Sequence, residues 1–374
     1  MTEPIALRPT TATVDLGALD ANVRAVRARV GARKIMAVVK ANAYGHGLVP
    51  VSQALVESGV DALAVAFLEE GIALRRAGVR APVLVLGGII GNQIAHFIEH
   101  DLEITAASAY KVRQIDEVAS VTGRRARIHL KIDTGMERFG VHWDHADALL
   151  EAAASARSCE LAGVFTHFAS ADAADASYTR LQLERFEQAL SRWRARGFVI
   201  PTVHAANSGA VLQHDAALFD LVRVGSLLYG FYSSPEAART VAVRPVLSLS
   251  TRVVYFKVVR EGSPVSYDGR WRAPRDTRVV TLPVGYGDGY LRALSNKAEV
   301  LIGGRRHPVI GSITMDATMV DLGTSSAFNG DEVVLIGAQG RERVTVEELA
   351  ERAGTIPYEI LTSINARVPR VYVR

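Results

Sequence analysis

Cysteine is all but missing from this chain. Cys159 is the only one in 374 residues, so neither an internal disulfide nor a cysteine-built metal cluster can form. A reducing compartment is the expected setting, and no metal site is expected. Long apolar runs are missing as well. No stretch reaches the ~20 residues that span a bilayer, and residues 1–15 lack the apolar core of an export signal. A cytoplasmic protein without a membrane partner is the expectation. Charge is not strongly one-sided, with a formal net of +4. No basic run alternates with aromatics, so nucleic acid is not an expected partner. Lysine is scarce, confined to Lys34, Lys40, Lys111, Lys131, Lys257 and Lys297. What the chain has is apolar content, 49% hydrophobic against 22% charged, enough to bury a sizeable core. Its length suits one large domain and a smaller one.

Over the first two-thirds, short apolar runs alternate with amphipathic segments. The runs predict strands at Ile35–Lys40, Ala62–Phe67, Val83–Gly87, Glu103–Ala106, Ile128–Asp133, Ala162–His167, Val203–Asn207 and Asp220–Val224. Helical spacing lies between them, as in Tyr110, Val112, Ile115 and Val118. A further helix capped by Asp15, with Leu16, Leu19, Val23 and Val26 on one face, precedes the first strand. Eight strands with helices between them predict an α/β fold of the (β/α)8, TIM-like barrel type; a doubly wound open sheet is the alternative. From about Val243 strand-like runs follow one another: Val246–Val259, Arg278–Leu282, Glu299–Ile302, His307–Ile310, Ala317–Asp321 and Glu332–Ile336. One helix, Val346–Ala353, follows Thr345 as its cap. The expected organisation is a barrel over residues 1–242, with the first ten or so residues packing on the second domain, and a smaller, mostly β domain over 243–374.

Catalytic groups of such barrels gather where strands end. Lys40 ends the first predicted strand, Lys131 and Asp133 the fifth with Arg138 just beyond, His167 the sixth, Asn207 and Ser208 the seventh. Arg223 ends the eighth, followed by Gly225 and Ser226. Singly, each has a plain explanation: a snorkelling lysine, a hydrogen-bonded core histidine, half of an ion pair. Together at one end of one barrel they predict an active site. A lysine in an apolar setting has a lowered pKa and can form a Schiff base, and pyridoxal 5'-phosphate (PLP) is the commonest reason for one. Its phosphate is often held after strands 7 and 8, where Asn207-Ser208-Gly209 and Gly225-Ser226 stand. A cofactor-free aldolase-type barrel would also use a strand-end lysine, but would leave Arg223 and the second domain without a purpose.

Ala37-Val38-Val39-Lys40-Ala41-Asn42-Ala43-Tyr44-Gly45-His46-Gly47 resembles the PLP-lysine motif of alanine racemases. The resemblance continues through 130–140, 166–169, 207–209, 223–230, 265–267, 282–290, 355–361 and 367–372. It implies a PLP-dependent isomerase, a homodimer with shared active sites, that interconverts L-alanine and D-alanine for peptidoglycan synthesis in the cell wall. It implies Lys40 as PLP anchor and base on the D-alanine face, and Tyr267 from the partner subunit as base on the other. Arg223 would bond the pyridine nitrogen, weakening the electron sink and limiting side reactions such as transamination. His167 would bridge Tyr267 and Arg223. Tyr44, Ser208, Tyr358 and the amides of Gly225 and Ser226 would hold the phosphate, with Asn207 beside them. Arg138 would bind the PLP oxygen and the substrate carboxylate. Lys131 would be carbamylated and pair with Arg138; its plain alternative is an ion pair with Asp133. Met315 would offer an amide to the substrate, and Tyr286 would narrow the entrance. Tyr229, Tyr290 and Tyr372 are expected to pack.

Two departures from the family's pattern stand out. The segment Gly311-Ser312-Ile313-Thr314-Met315-Asp316-Ala317 lacks the usual basic residue and cysteine, which puts substrate range in question. Glu137 stands where a small residue or histidine is common, next to Arg138. Three rival readings remain: a broad-spectrum or serine racemase and a decarboxylase, both of the same fold, and a non-catalytic PLP-binding or regulatory protein, which would have no use for the β domain. The decarboxylase would call for an acidic residue at Arg223, and the PLP-binding protein has no use for Tyr267.

Overall fold

A computed structural model describes residues 8–374. The expectation that residues 1–7 pack on the second domain lies outside the described residues. The chain divides into two compact units: residues 19–43 and 48–243 form one, and the rest of the described chain, including residues 44–47, forms the other.

The first unit is a closed barrel. Lys34–Val38, Ala62–Val65, Val83–Val85, Glu103–Ala106, Ala126–Asp133, Cys159–Phe165, Val203–His204 and Leu221–Val224 pair in that order, all parallel, and the last pairs with the first. These strands read as continuous apolar runs because helices cover one face and the barrel interior the other. Ile35, Ala37, Leu63, Leu84, Ile104, Ile128, Val164 and Val222 are fully buried.

Five strands stop earlier than the apolar runs suggest, at Val38, Val65, Val85, Phe165 and His204, so Lys40, His167 and Asn207 stand at the rim rather than on the strands. An apolar run does not distinguish the last laddered residue from the first rim residue. Lys131, Asp133 and Arg223 do lie on strands. The helix Leu16–Val30 forms as predicted, with Asp15 Oδ1 accepting from the Ala18 amide at 2.8 Å.

The second unit is built on a long sheet in the order Tyr255–Val259, Thr277–Leu282, Thr318–Gly323, Arg305–Ile310, Glu299–Ile302, Glu332–Gln339, Leu247–Arg252, Thr11–Asp15, Arg370–Val373. Only the last pair is parallel. The single run predicted over Val246–Val259 is two strands. At Val253 and Val254 the chain changes partners, bonding the carbonyls of Asp331 and Thr281 respectively at 3.0 Å. Hydrophobicity alone does not mark such a corner. Thr345 caps Val346–Ala353, its Oγ1 accepting from the Glu348 amide, and a second helix, Pro357–Ser363, follows unpredicted. Residues 44–47 join this unit through glycine: Gly45 has φ +83, and a Cβ there would lie 2.1 Å from the Leu361 carbonyl oxygen. No helix among the described residues is long and apolar enough to cross a membrane.

Candidate active site

Lys40 opens a left-handed turn. Ala41, Asn42, Ala43 and Tyr44 have φ of 52–56°, a conformation that crowds every Cβ against the next carbonyl. Two side chains hold it. Glu70 Oε1 accepts from the Ala41 amide at 2.6 Å, while its Oε2 accepts from Ala66 and Phe67. Asn42 Oδ1 accepts from the Leu48 amide at 2.8 Å. Burial, then the charge of Arg138, lowers the Lys40 pKa, with Glu70 opposing. That favours the uncharged amine a Schiff base requires.

His129, Lys131 and Asp133 alternate along the fifth barrel strand and so share one face. All three are buried. The Lys131 ammonium lies over the Phe165 ring, 4.5 Å from its centroid. Burial, Arg223 and Arg138 push its pKa far down. The ion pair with Asp133 is not made. Asp133 Oδ1 accepts instead from the amides of Gly135, Met136 and Glu137 at 2.8, 2.9 and 3.2 Å, and Oδ2 from Arg138 at 3.3 Å. Asp133 thereby shapes the loop that carries Arg138. Glu137 does not pair with Arg138; its exposed carboxylate is 3.7 Å from His142.

Arg223 is buried on the eighth strand. Its Nη2 donates to the carbonyls of Thr166 and Ala205 at 2.7 and 3.0 Å and meets His167 Nδ1 at 3.2 Å; its Nη1 meets His204 Nδ1 at 3.0 Å. Its guanidinium also lies over Phe165. Burial pulls its pKa down to about 9, still a cation at neutral pH. Burial and the Arg223 charge hold His167 and His204 far below the usual histidine range, so both are neutral.

On the rim, Asn207 caps Ser208–Gln213, Oδ1 accepting from the Ala210 amide. Ser208 Oγ accepts from the Gly225 amide at 3.0 Å. Gly225 N–H is thus engaged by Ser208, while the Ser226 hydroxyl is buried with no hydrogen-bond partner among the described residues.

The second unit gathers the other predicted residues. Tyr44 and Tyr358 stack at a tilt, centroids 5.7 Å apart, and burial and Tyr358 raise the Tyr44 pKa. The Ser312 hydroxyl donates to the Tyr267 carbonyl, the Ser266 hydroxyl to the Ser312 carbonyl, and the Tyr286 amide to the Thr314 carbonyl. Gly287 bonds the Met315 carbonyl. These ties bring Tyr267, Tyr286 and Met315 to one exposed surface, where they are 70, 42 and 52% exposed. The atypical 311–317 segment is therefore the frame for Tyr267. Tyr229 and Tyr290 are buried, and Tyr372 donates to the His46 carbonyl, as packing residues do.

Sequence reasoning missed Glu103, His129, Phe165 and His204. The period-two spacing of His129 with Lys131 was a signal for one of them; the others are defined by neighbours across the barrel.

Four basic side chains of the barrel unit, Lys40, Lys131, Arg138 and Arg223, have no carboxylate within ion-pair distance among the described residues. They act on one another electrostatically. Lys131 and Arg223 are buried, Lys40 is half-buried and Arg138 is exposed; basic groups held together in this way without carboxylate partners favour anions from outside the chain.

Residues 14–233 match the family model described as alanine racemase, N-terminal domain, and residues 246–372 match the C-terminal domain. Alanine racemase 2 of Caldanaerobacter subterraneus subsp. tengcongensis is 43% identical over 370 residues, 98% of this chain and 95% of that protein. The structure of alanine racemase from Streptomyces coelicolor A3(2) has a TM-score of 0.94 at 37% identity, with all of both chains covered. That of alanine racemase from Bartonella henselae with covalently bound pyridoxal phosphate has a TM-score of 0.89 at 28% identity, covering 98% of this chain and 99% of that one.

Proposed function

The chain belongs to the alanine racemase family and is a PLP-dependent racemase, and from that premise we propose that it interconverts L- and D-alanine by two opposed bases, as a homodimer, supplying D-alanine for peptidoglycan. The uncompensated cation cluster carries this reading. A phosphate, a phenolic oxygen and a substrate carboxylate are the anions it lacks, and PLP with alanine brings all three. The orphaned Ser226 hydroxyl beside Ser208 fits a phosphate in the same way.

When bound, PLP withdraws electrons from the substrate Cα and so acidifies its proton. Lys40 holds the cofactor covalently, and its Nζ takes or gives the proton on the D-alanine face. The phenol of the partner subunit's Tyr267 takes or gives it on the opposite face; the shared exposure of Tyr267, Tyr286 and Met315 is what a surface completed by a second subunit requires. Arg223 donates to the pyridine nitrogen and, being nearly incapable of giving up its proton, leaves that nitrogen unprotonated. His167, neutral and bonded to Arg223, would orient Tyr267. Tyr44, Tyr358, Ser208 and the amides of Gly225 and Ser226 would hold the phosphate, which would replace the Ser208 oxygen as acceptor for the Gly225 N–H, with Asn207 capping the helix that Ser208 opens. Arg138 binds the substrate carboxylate and the phenolic oxygen, with the Met315 amide as second donor. Tyr286 limits the entrance to a small side chain. Lys131, neutralised by burial, is a substrate for carbamylation, which would give Arg138 its missing carboxylate. The single buried thiol, Cys159, suits a cytoplasmic location.

Lys40→Ala is expected to lose both the cofactor's visible absorbance and racemisation. Tyr267→Phe should keep the absorbance and lose at least 100-fold in kcat, as general-base removal typically costs. Mixing the two inactive variants should restore part of the activity if sites are shared. Full activity in Tyr267→Phe would rule out the two-base proposal, and no recovery after demonstrated subunit exchange would rule out the shared site.

A further inference from the structure

A line of hydrogen bonds crosses the barrel interior from Arg223 to the opposite strands. Arg223 Nη1 meets His204 Nδ1 at 3.0 Å, His204 Nε2 meets His129 Nδ1 at 2.9 Å, and His129 Nε2 meets Glu103 Oε2 at 2.9 Å. The other Glu103 oxygen pairs with Arg127 at 2.5 Å. Glu103, His129, His204 and Arg223 are each at most 4% exposed, while the Arg127 side chain is 40% exposed. The fold makes room for the line. Gly163 faces His129, and a Cβ there would come within 2.7 Å of its Nδ1.

The proton positions follow from the ends. A guanidinium only donates, so His204 Nδ1 must accept and its proton sits on Nε2. His129 Nδ1 must then accept, which places its own proton on Nε2, facing the Glu103 carboxylate. Both rings are neutral, and every bond in the line points from the cation toward the anion. Arg223 has no carboxylate of its own within ion-pair distance among the described residues. The aligned rings present lone pairs toward it, and hydrogen bonds arranged in one direction polarise one another.

We infer that Glu103, His129 and His204 form a relay of positioning residues, anchored by Arg127, that gives Arg223 its counter-charge from across the barrel and fixes the orientation of its guanidinium. The relay deepens the role given to Arg223 above and rests on that reading for its effect on turnover, but its proton arrangement stands apart from activity.

The test is Glu103→Gln. The new amide turns its oxygen to Arg127 and its NH2 to His129, which reverses both rings and sets a His204 N–H against the Arg223 N–H. Solid-state 15N and 13C NMR of histidine-labelled holoenzyme reads the tautomers directly. The wild type is expected to show Nε2–H on both rings, and Glu103→Gln to show Nδ1–H with about a tenfold loss in kcat and KM for alanine within twofold. Adding Arg127→Met frees the amide to turn its oxygen to His129, and should restore Nε2–H and most of kcat. A merely structural Glu103 would leave the tautomers alone, and the double variant would be worse than the single. Nδ1–H on either ring of the wild type overturns the relay even if the variant does not fold. So does Glu103→Gln with unchanged tautomers, whatever its kcat. A wild type with the expected tautomers but no alanine racemisation leaves the relay standing and removes the functional reading.

Discussion

A buried carboxylate bonded to four backbone amides, as Asp133 is, works as a loop anchor rather than as a counter-ion. Removing it leaves those amides without their acceptor, at a cost of roughly 2–4 kcal/mol. Asp133→Ala should lower the unfolding free energy by that amount and raise KM for alanine at least tenfold, because Arg138 loses its fixed loop. An unchanged KM, measured alongside a urea titration, would show that Arg138 is held by something else. At this scale the sequence was uneven. Lys40 and Arg223 stood out because a cation beside an apolar strand is costly. Asp133 was visible as a residue but not as an anchor, since the amides it accepts depend on the path of the loop. Glu103 and His204 could not be read at all, because what matters about them is a partner on another strand.

Among elements, the left-handed turn Ala41–Tyr44 is the one local propensity opposes. Each non-glycine residue there costs about 1–2 kcal/mol, offset by Glu70 and Asn42. Ala41→Gly should therefore raise the unfolding free energy by about 1 kcal/mol, since glycine adopts this conformation without the Cβ clash. Chemical denaturation checks this, and a loss of stability would mean that the Ala41 methyl contributes packing that outweighs the strain. Little in the sequence announced the turn: Asn42 tolerates a left-handed backbone, but Ala41, Ala43 and Tyr44 oppose it. The barrel strands were legible from their apolar runs, their ends less so. The strand Thr11–Asp15 was missed because its partners, Leu247–Arg252 and Arg370–Val373, are more than 200 residues away.

Across the molecule, the buried histidines tie stability to pH. Burial, with Arg223, holds the folded-state pKa of fully buried His204 well below its ordinary value. Below about pH 6.5 the unfolded chain binds a proton there that the folded chain refuses. Stability is therefore complete above that pH and falls as pH drops, by about 1.4 kcal/mol between pH 7.5 and 5.5 from His204 alone. Urea midpoints at the two pH values check this; equal midpoints would mean that the relay accepts a proton without cost. The cation cluster is the other whole-molecule feature, and it was legible only in part. Its members were identifiable in sequence; that no carboxylate among the described residues forms an ion pair with them was not.

Membership of the alanine racemase family makes alanine the expected substrate. The most direct check is to incubate the purified protein with PLP and L-alanine and follow D-alanine by chiral separation, with L-serine, L-lysine and L-arginine in parallel. The account predicts fast conversion of alanine and at least tenfold slower conversion of the other three. Faster turnover of another amino acid, or none of any with PLP bound, would contradict it.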